Sequence, residues 1–579
     1  MLSESNRSEK LIIYQMMTRL FGNTKTTNKK YGTLEENGVG KFNDINEIAL
    51  QGIKELGVTH VWYTGVLEHA LLTDYTAQGI PLDDADVVKG RAGSPYAIKD
   101  YYDVDPDLAV NVKDRLKEFE QLVDRTHGQG MKVIIDFIPN HVARSYHSDA
   151  KPEGMKDLGE EDDLTVPFKA SNNFYYLPGQ SFQPPKGYDP LGPENSFPTK
   201  DGQFNEVPAK VTGNDQFSAT PHINDWFETI KLNYGVDIQN GRQNHFDPIP
   251  DTWQKMLDIL LYWNSKKVDG FRCDMAEMVP VEFWQWAIPQ VKAVNPEIIF
   301  IAEIYNPQQY KNYVENGRFD FLYDKVELYD LLRLDLMNPH GQRGTTDIER
   351  IKKGNIEQGI SDHLLHFLEN HDEQRIASSF FASDPWKAVP AMVVSATIDK
   401  GPIMIYFGQE IGEPGADDEG FSGLDGRTTM FDYWGITQFQ KWVNGGKFDG
   451  SQLNDEQKQL RQFYGDILTL AKSNRAIALG NYFDLTVHNV QSKNISNKIS
   501  VFARSAGEEK LIIVAGFNEK PEHVKIQIPT VVAQALALKQ PNNYIGRDLL
   551  RSGTDIGLDA SLTFELDVPP HSAFIFKIK

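Results

Sequence analysis

Eight short apolar, β-rich runs recur along this chain with amphipathic helical stretches between them, and that alternation admits few folds. The runs are 11–17, 60–64, 131–137, 268–275, 298–303, 319–323, 363–368 and 403–407. Between them, 251–267 places Trp253, Met256, Ile259, Leu260 and Trp263 on one face at helical spacing. The stretch 112–127 does the same with Leu116, Phe119 and Leu122. Alternation of this kind builds parallel βα units. Eight of them predict an α/β fold, the (β/α)8 TIM barrel, whose active sites lie at the C-terminal ends of the strands.

Four of the runs carry a carboxylate at or just beyond their C-terminal end. The segments are Asp136-Phe-Ile-Pro-Asn-His141, Gly270-Phe-Arg-Cys-Asp274, Ala302-Glu303-Ile304 and Phe367-Leu-Glu-Asn-His-Asp372. A carboxylate where a buried strand ends is costly unless something uses it, so four of them point to one shared pocket. Strand side chains alternate, so Arg272 and Asp274 face the same side, the barrel interior, while Phe271 and Cys273 face the helices. A guanidinium beside Asp274 favours its ionised form.

These segments, in this order, resemble the motifs of the α-amylase family, glycoside hydrolase family 13: D-x-x-x-N-H, G-F-R-x-D, a lone Glu after an apolar strand, and N-H-D. The resemblance runs from about Leu11 to the C-terminus. It implies a retaining hydrolase of α-linked glucans, α-amylase-like on α-1,4 bonds, acting by double displacement on an α-glucan or maltooligosaccharide, with no cofactor required for the chemistry. By the resemblance Asp274 is the nucleophile, Glu303 the general acid/base, and Asp372 the third carboxylate, which grips two sugar hydroxyls. Neighbouring parallel strands lie about 4.8 Å apart, which suits the pair of carboxyl groups about 5 Å apart that retention needs. His141 and His371 match histidines that contact the same sugar, and Tyr96 matches the aromatic beneath it, although Ser94-Pro95 stands where the family often has His-Gly. Arg272 joins this substrate-binding set, Asp136 supports Arg272, and Asn140 matches a family calcium ligand.

One departure bears on metal. The family commonly has Lys and His three and four residues after the nucleophile; here they are Glu277 and Met278. The resemblance therefore implies no calcium at the usual site, and Glu277 is expected to accept hydrogen bonds from a sugar on the leaving-group side. Asn23, Asn28 and Glu35-Glu36-Asn37 read as a solvated turn rather than another calcium loop. A transglycosylase that branches or isomerises α-glucans would use the same residues and stays open. A non-catalytic binding subunit would be expected to lack the three carboxylates, and all are present.

The segment 142–234 breaks the alternation and reads as a lobe inserted after the third strand of a catalytic region 1–478; a loop this long without structure would be unusual. From 479 to 579 short β-rich runs separated by Gly, Pro and Asn predict an antiparallel β-sandwich. The 579 residues carry a net charge of −22, which repels nucleic acid and anionic membranes and suits a neutral sugar. Cys273 is the single cysteine, so no internal disulfide forms and a packing role is expected. No stretch has the roughly 18 unbroken apolar residues of a membrane span, and residues 1–10 are polar, without the pattern of a signal peptide. Compartment and oligomeric state are left open.

Overall fold

The structure, a computed structural model, describes residues 9–421, 423–539, 544–550 and 552–579, so most of the polar 1–10 segment lies outside the described residues. Eight parallel strands follow the predicted order. They are β1 (Ile12–Met17), β2 (His60–Thr64), β3 (Lys132–Phe137), β4 (Gly270–Cys273), β5 (Ile299–Ala302), β6 (Phe321–Tyr323), β7 (Leu364–Leu365) and β8 (Ile403–Tyr406). Each pairs with its sequence neighbour, and β1 also pairs with β8. A parallel bridge between His366 and Ile403 closes β7 onto β8, with the Met404 N–H donating to the His366 carbonyl at 2.9 Å. The result is a closed (β/α)8 barrel.

Alternation sorts the side chains as the sequence predicts. Ile13, Trp62, Ile134, Ile299, Ile301, Phe321, Tyr323, Leu365, Phe367 and Met404 form one cluster filling the barrel. Their strand neighbours, including Phe271 and Cys273, join the larger cluster shared with the surrounding helices. Gly270 leaves room for this interior. A Cβ there would lie 2.6 Å from Ile299 Cγ1 and 3.2 Å from Ile134 Cγ1, so any larger residue collides with the packed core.

Most of the strands are shorter than the apolar runs, β2 alone filling its run of 60–64. β7 keeps only two residues because the chain beyond it turns into the Glu369–Asp372 site segment. The helix expected over 251–267 runs Asp251–Ser265 and stops where Lys267 takes a left-handed φ of 65°. The helix expected over 112–127 begins as a 3-10 turn, Val112–Asp114, and becomes α-helical over Arg115–Gly128.

After β3 the chain leaves the barrel. His141–Ala143 pairs antiparallel with Thr229–Lys231, and Tyr176–Leu177 with Ala209–Lys210. A small core of Tyr175, Leu177, Phe182, Ala209 and Val211 also takes in Val87 from the β2 loop. The irregular stretch continues past Tyr234 through a hairpin, Val236–Asp237 with Gln243–Asn244, before the helix at Asp251.

Near the C-terminus, an antiparallel six-stranded sheet orders Asn481–Asp484, Ile499–Ala506, Glu509–Gly516, Ser572–Ile578, Tyr544–Asp548 and Asp555–Leu558. The pair Glu522–Gln527 and Thr563–Val568 covers one face, so Val501, Ile512 and Val514 share a core with Val524, Ile526, Phe564 and Leu566. That is the predicted sandwich with very unequal sheets. Arg504, fully buried, ties it to the barrel by donating to the carbonyls of Ile398, Ala476, Ile477 and Gly480.

Candidate active site

The site is organised around one guanidinium. Arg272 sits in β4 opposite Asp136 of β3 and Ile301 of β5. Its Nη1 donates to Asp274 Oδ1 at 2.7 Å and reaches Asp136 Oδ1 at 3.4 Å, while Nη2 lies 2.8 Å from Glu303 Oε1. The strands continue for one residue to deliver these carboxylates: the Asp274 N–H donates to the Phe137 carbonyl, and the Glu303 N–H to that of Cys273. Asp274 and Glu303 thus leave neighbouring strands side by side. Met275 follows in a left-handed conformation, φ 43°, and its N–H donates to Glu303 Oε2 at 2.8 Å. A non-glycine residue there stores strain of about 1–3 kcal/mol.

Burial sets the electrostatics. It pushes the Asp274 and Glu303 carboxyls upward, and Arg272 opposes both. Burial and the neighbouring Glu303 raise Asp372 to about 8, and burial raises Asp136 to about 7. Three carboxylates facing one cation cannot all ionise at ordinary cost.

The predicted site residues converge. Asp274, Glu303, Asp372, Tyr96, His141 and His371 all line one cavity of about 930 Å³. That lies near the top of the roughly 300–1,000 Å³ range of ligand sites and leaves room for more than one sugar ring. The Tyr96 ring stacks on His371 at 5.2 Å between centroids and 24° between planes. His371 is buried, which together with Arg272 holds it well below the usual imidazole range. As neutral imidazole its Nδ1 accepts from Gln15 Nε2 at 2.8 Å, leaving Nε2–H to donate to the Tyr96 hydroxyl at 2.5 Å. His141 packs against Trp226 at 5.2 Å and is brought down to about 4 by burial. Asp136 accepts from Trp62 Nε1 at 2.9 Å as well as from Arg272, and it does not line the cavity.

Two expectations change. Arg272, placed in the substrate-binding set, is 0 % exposed and absent from the cavity wall. Its fork is spent on three carboxylates, so it can act only through them. Glu277 does not line the large cavity. Its two oxygens accept the backbone N–H groups of Tyr305 at 3.1 Å and Asn306 at 3.2 Å, and it lines a separate small cleft of about 190 Å³.

Sequence reasoning missed Tyr305, whose hydroxyl donates to Glu303 Oε1 at 2.8 Å, although its position two residues after Glu303 was a signal. It also missed the far wall, built by Tyr188 and Trp226 of the lobe and by Phe421, Phe431 and Trp434 after β8. These lie in segments with no periodic pattern.

Asn140, which the resemblance matched to a calcium ligand, contacts an ammonium here. The buried Lys231 contacts Asn140 Oδ1, lies 2.9 Å from Asp215 Oδ1, and reaches the Met278 carbonyl at 3.5 Å. The lysine nitrogen thus lies among these three oxygens. In the 23–37 loop, Asn23, Asn28 and Asn37 spend their side chains on backbone groups, and Lys25 holds the Glu35 carbonyl. The carboxylates of Glu68, Asp100 and Asp149 approach within 4.8 Å of one another. Asp100, however, accepts from the Tyr102, Asp149 and Ala150 N–H groups and the Ser148 hydroxyl, which makes it a loop anchor.

Comparison with known proteins decides the family. The alpha-amylase catalytic-domain family matches residues 15–459. The chain belongs to the alpha-amylase family. It is 25% identical over 410 residues to an alpha-amylase of Streptomyces lividans, covering 66% of this chain and 41% of that protein. Neopullulanase 2 of Thermoactinomyces vulgaris is 20% identical over 534 residues, covering 90% of this chain and 72% of that protein. Among solved structures, a Nostoc punctiforme debranching enzyme superposes with a TM-score of 0.64 at 17% identity, covering 98% of both chains. Within the alpha-amylase family the chain carries the catalytic-domain match over the barrel together with a buried lysine, Lys231, on Asn140.

Proposed function

We propose that this protein is a retaining hydrolase of α-linked glucans that cleaves α-1,4 bonds by double displacement. The observation that carries the reading is the single Arg272 fork holding Asp274 and Glu303 side by side on a sugar-sized cavity. One fork's width suits the carboxyl spacing of retaining enzymes, about 5–5.5 Å, rather than the 6.5–9.5 Å of inverting ones. Asp274, held by Arg272, attacks the anomeric carbon. Glu303, raised by burial, protonates the departing oxygen and then takes a proton from water. Asp372, on the same cavity, binds sugar hydroxyls, with Tyr96, His141 and His371 shaping the bed for that ring. No metal enters these steps, and the Lys231 ammonium takes the structural place of the family's calcium.

The test is the anomer released first from maltooligosaccharide, followed by proton NMR before mutarotation. First-formed α product supports double displacement; first-formed β product removes it. Running the digest with a sugar acceptor separates hydrolysis from transglycosylation by the appearance of transfer products.

A further inference from the structure

We propose that Tyr305 is a positioning residue for the general acid and that Glu277 holds Tyr305 in place. This rests on the reading of Glu303 as that acid. Glu303 has two oxygens. Oε2 accepts the fixed N–H of Met275 at 2.8 Å. Oε1 lies 2.8 Å from Arg272 Nη2, yet that nitrogen makes no aligned hydrogen bond. The hydroxyl of Tyr305, also at 2.8 Å, is therefore the group that hydrogen-bonds Oε1.

Chemistry distinguishes the three partners. A backbone N–H and a guanidinium only donate, so each opposes a proton on the carboxyl oxygen it faces. A hydroxyl both donates and accepts. Tyr305 can donate to the ionised carboxylate and, after rotation about its C–O bond, accept from the protonated acid. Glu303 must pass through both forms in each turnover, and Tyr305 can follow it.

Tyr305 sits on a loop leaving β5 with no regular ladder to fix it. Glu277 supplies the anchor by accepting the N–H groups of Tyr305 and Asn306. This anchor couples the turn after β4 to the turn after β5, so the side chain that departs from the family's lysine holds the acid's partner. The charged and titratable groups that face Glu303 are Asp136, His141, Arg272, Asp274, Tyr323 and Asp372, with Glu277 behind Tyr305. A Tyr305 substitution leaves all of them in place.

The experiment measures kcat/KM against pH for the wild type, Tyr305→Phe, Glu277→Gln and Glu277→Ala. Each is assayed on an unactivated maltooligosaccharide and on an aryl α-glucoside with a good leaving group, with Glu303→Gln as reference. Removing the donor disfavours the ionised carboxylate, so in Tyr305→Phe the basic limb should move up by about one pH unit. The oligosaccharide rate should fall about tenfold, part of the roughly 10²–10⁴-fold a general acid supplies, and the aryl rate should fall less. Glu277→Ala should act in the same direction, and Glu277→Gln, which keeps one acceptor, should recover part of the loss. An unmoved basic limb in Tyr305→Phe, with both substrates slowed equally, overturns the proposal. If Glu303→Gln itself slows both substrates equally, the assignment of the acid fails instead, and the two failures are told apart.

Discussion

Replacing Lys231 with methionine tests whether an ammonium does the work of a metal between lobe and barrel. The side chain is 4 % exposed, and its nitrogen contacts Asn140 Oδ1, Asp215 Oδ1 and the Met278 carbonyl. Methionine fills the stem and leaves three oxygens facing an apolar group. Removing one partner of a buried pair costs about 3–5 kcal/mol. The Asp215 side chain keeps 24 % exposure and some solvation, so the lower end applies, about 3 kcal/mol. Lys231 also pairs across the ladder with His141, so the damage reaches the cavity wall. Thermal unfolding with and without EDTA, together with limited proteolysis of the lobe, reads the effect. The wild type should unfold at the same temperature in EDTA and in calcium, while the variant melts lower and is nicked faster within the lobe. A variant within about 1 kcal/mol of wild type would refute the reasoning, as would a wild type that loses stability in EDTA.

Other expectations follow from the same geometry. Asp274→Asn should lose several orders of magnitude in kcat with an unchanged circular dichroism spectrum; activity within tenfold of wild type removes Asp274 from the mechanism. Burial raises Glu303, so the acid stays protonated above the pH at which an ordinary glutamic acid ionises, about 4.3. The basic limb of the wild-type kcat/KM profile should therefore lie above that value, and a limb at or below it contradicts the burial argument. Arg504→Met strips the donor from four buried carbonyls and should destabilise by on the order of 3 kcal/mol, seen as a lowered urea midpoint; an unchanged midpoint means the sandwich is held by its apolar contacts alone.

The barrel was legible because its strands are buried on both faces and read as apolar runs, and because inward and outward residues alternate around Gly270-Phe-Arg-Cys-Asp274. The carboxylates were legible because each lies at or just beyond the end of such a run. What periodicity could not give was the partner of each polar group. Glu277 was expected to accept from a sugar, yet backbone N–H groups in the turn after the neighbouring strand β5 bond both of its oxygens. Arg272 looked like a substrate ligand until its burial placed it behind the carboxylates. Lys231, a lone cation in Thr-Ile-Lys-Leu-Asn, gave a hint, since a lysine in an apolar stretch needs buried acceptors, but besides Asp215 these come from 91 residues upstream and 47 downstream. The aromatic wall after β8 carries no period, and its closeness to the site comes from tertiary folding alone.

The central claim is that Asp274 forms a covalent bond to the sugar. Glu303→Gln incubated with an α-glucosyl fluoride tests it most directly, because fluoride leaves without acid help while the second step lacks its base. Intact-mass spectrometry with peptide mapping should find one glucosyl unit added, carried on the peptide containing Asp274. Turnover of the fluoride with no adduct at any time, or an adduct mapped to another residue, would contradict the account.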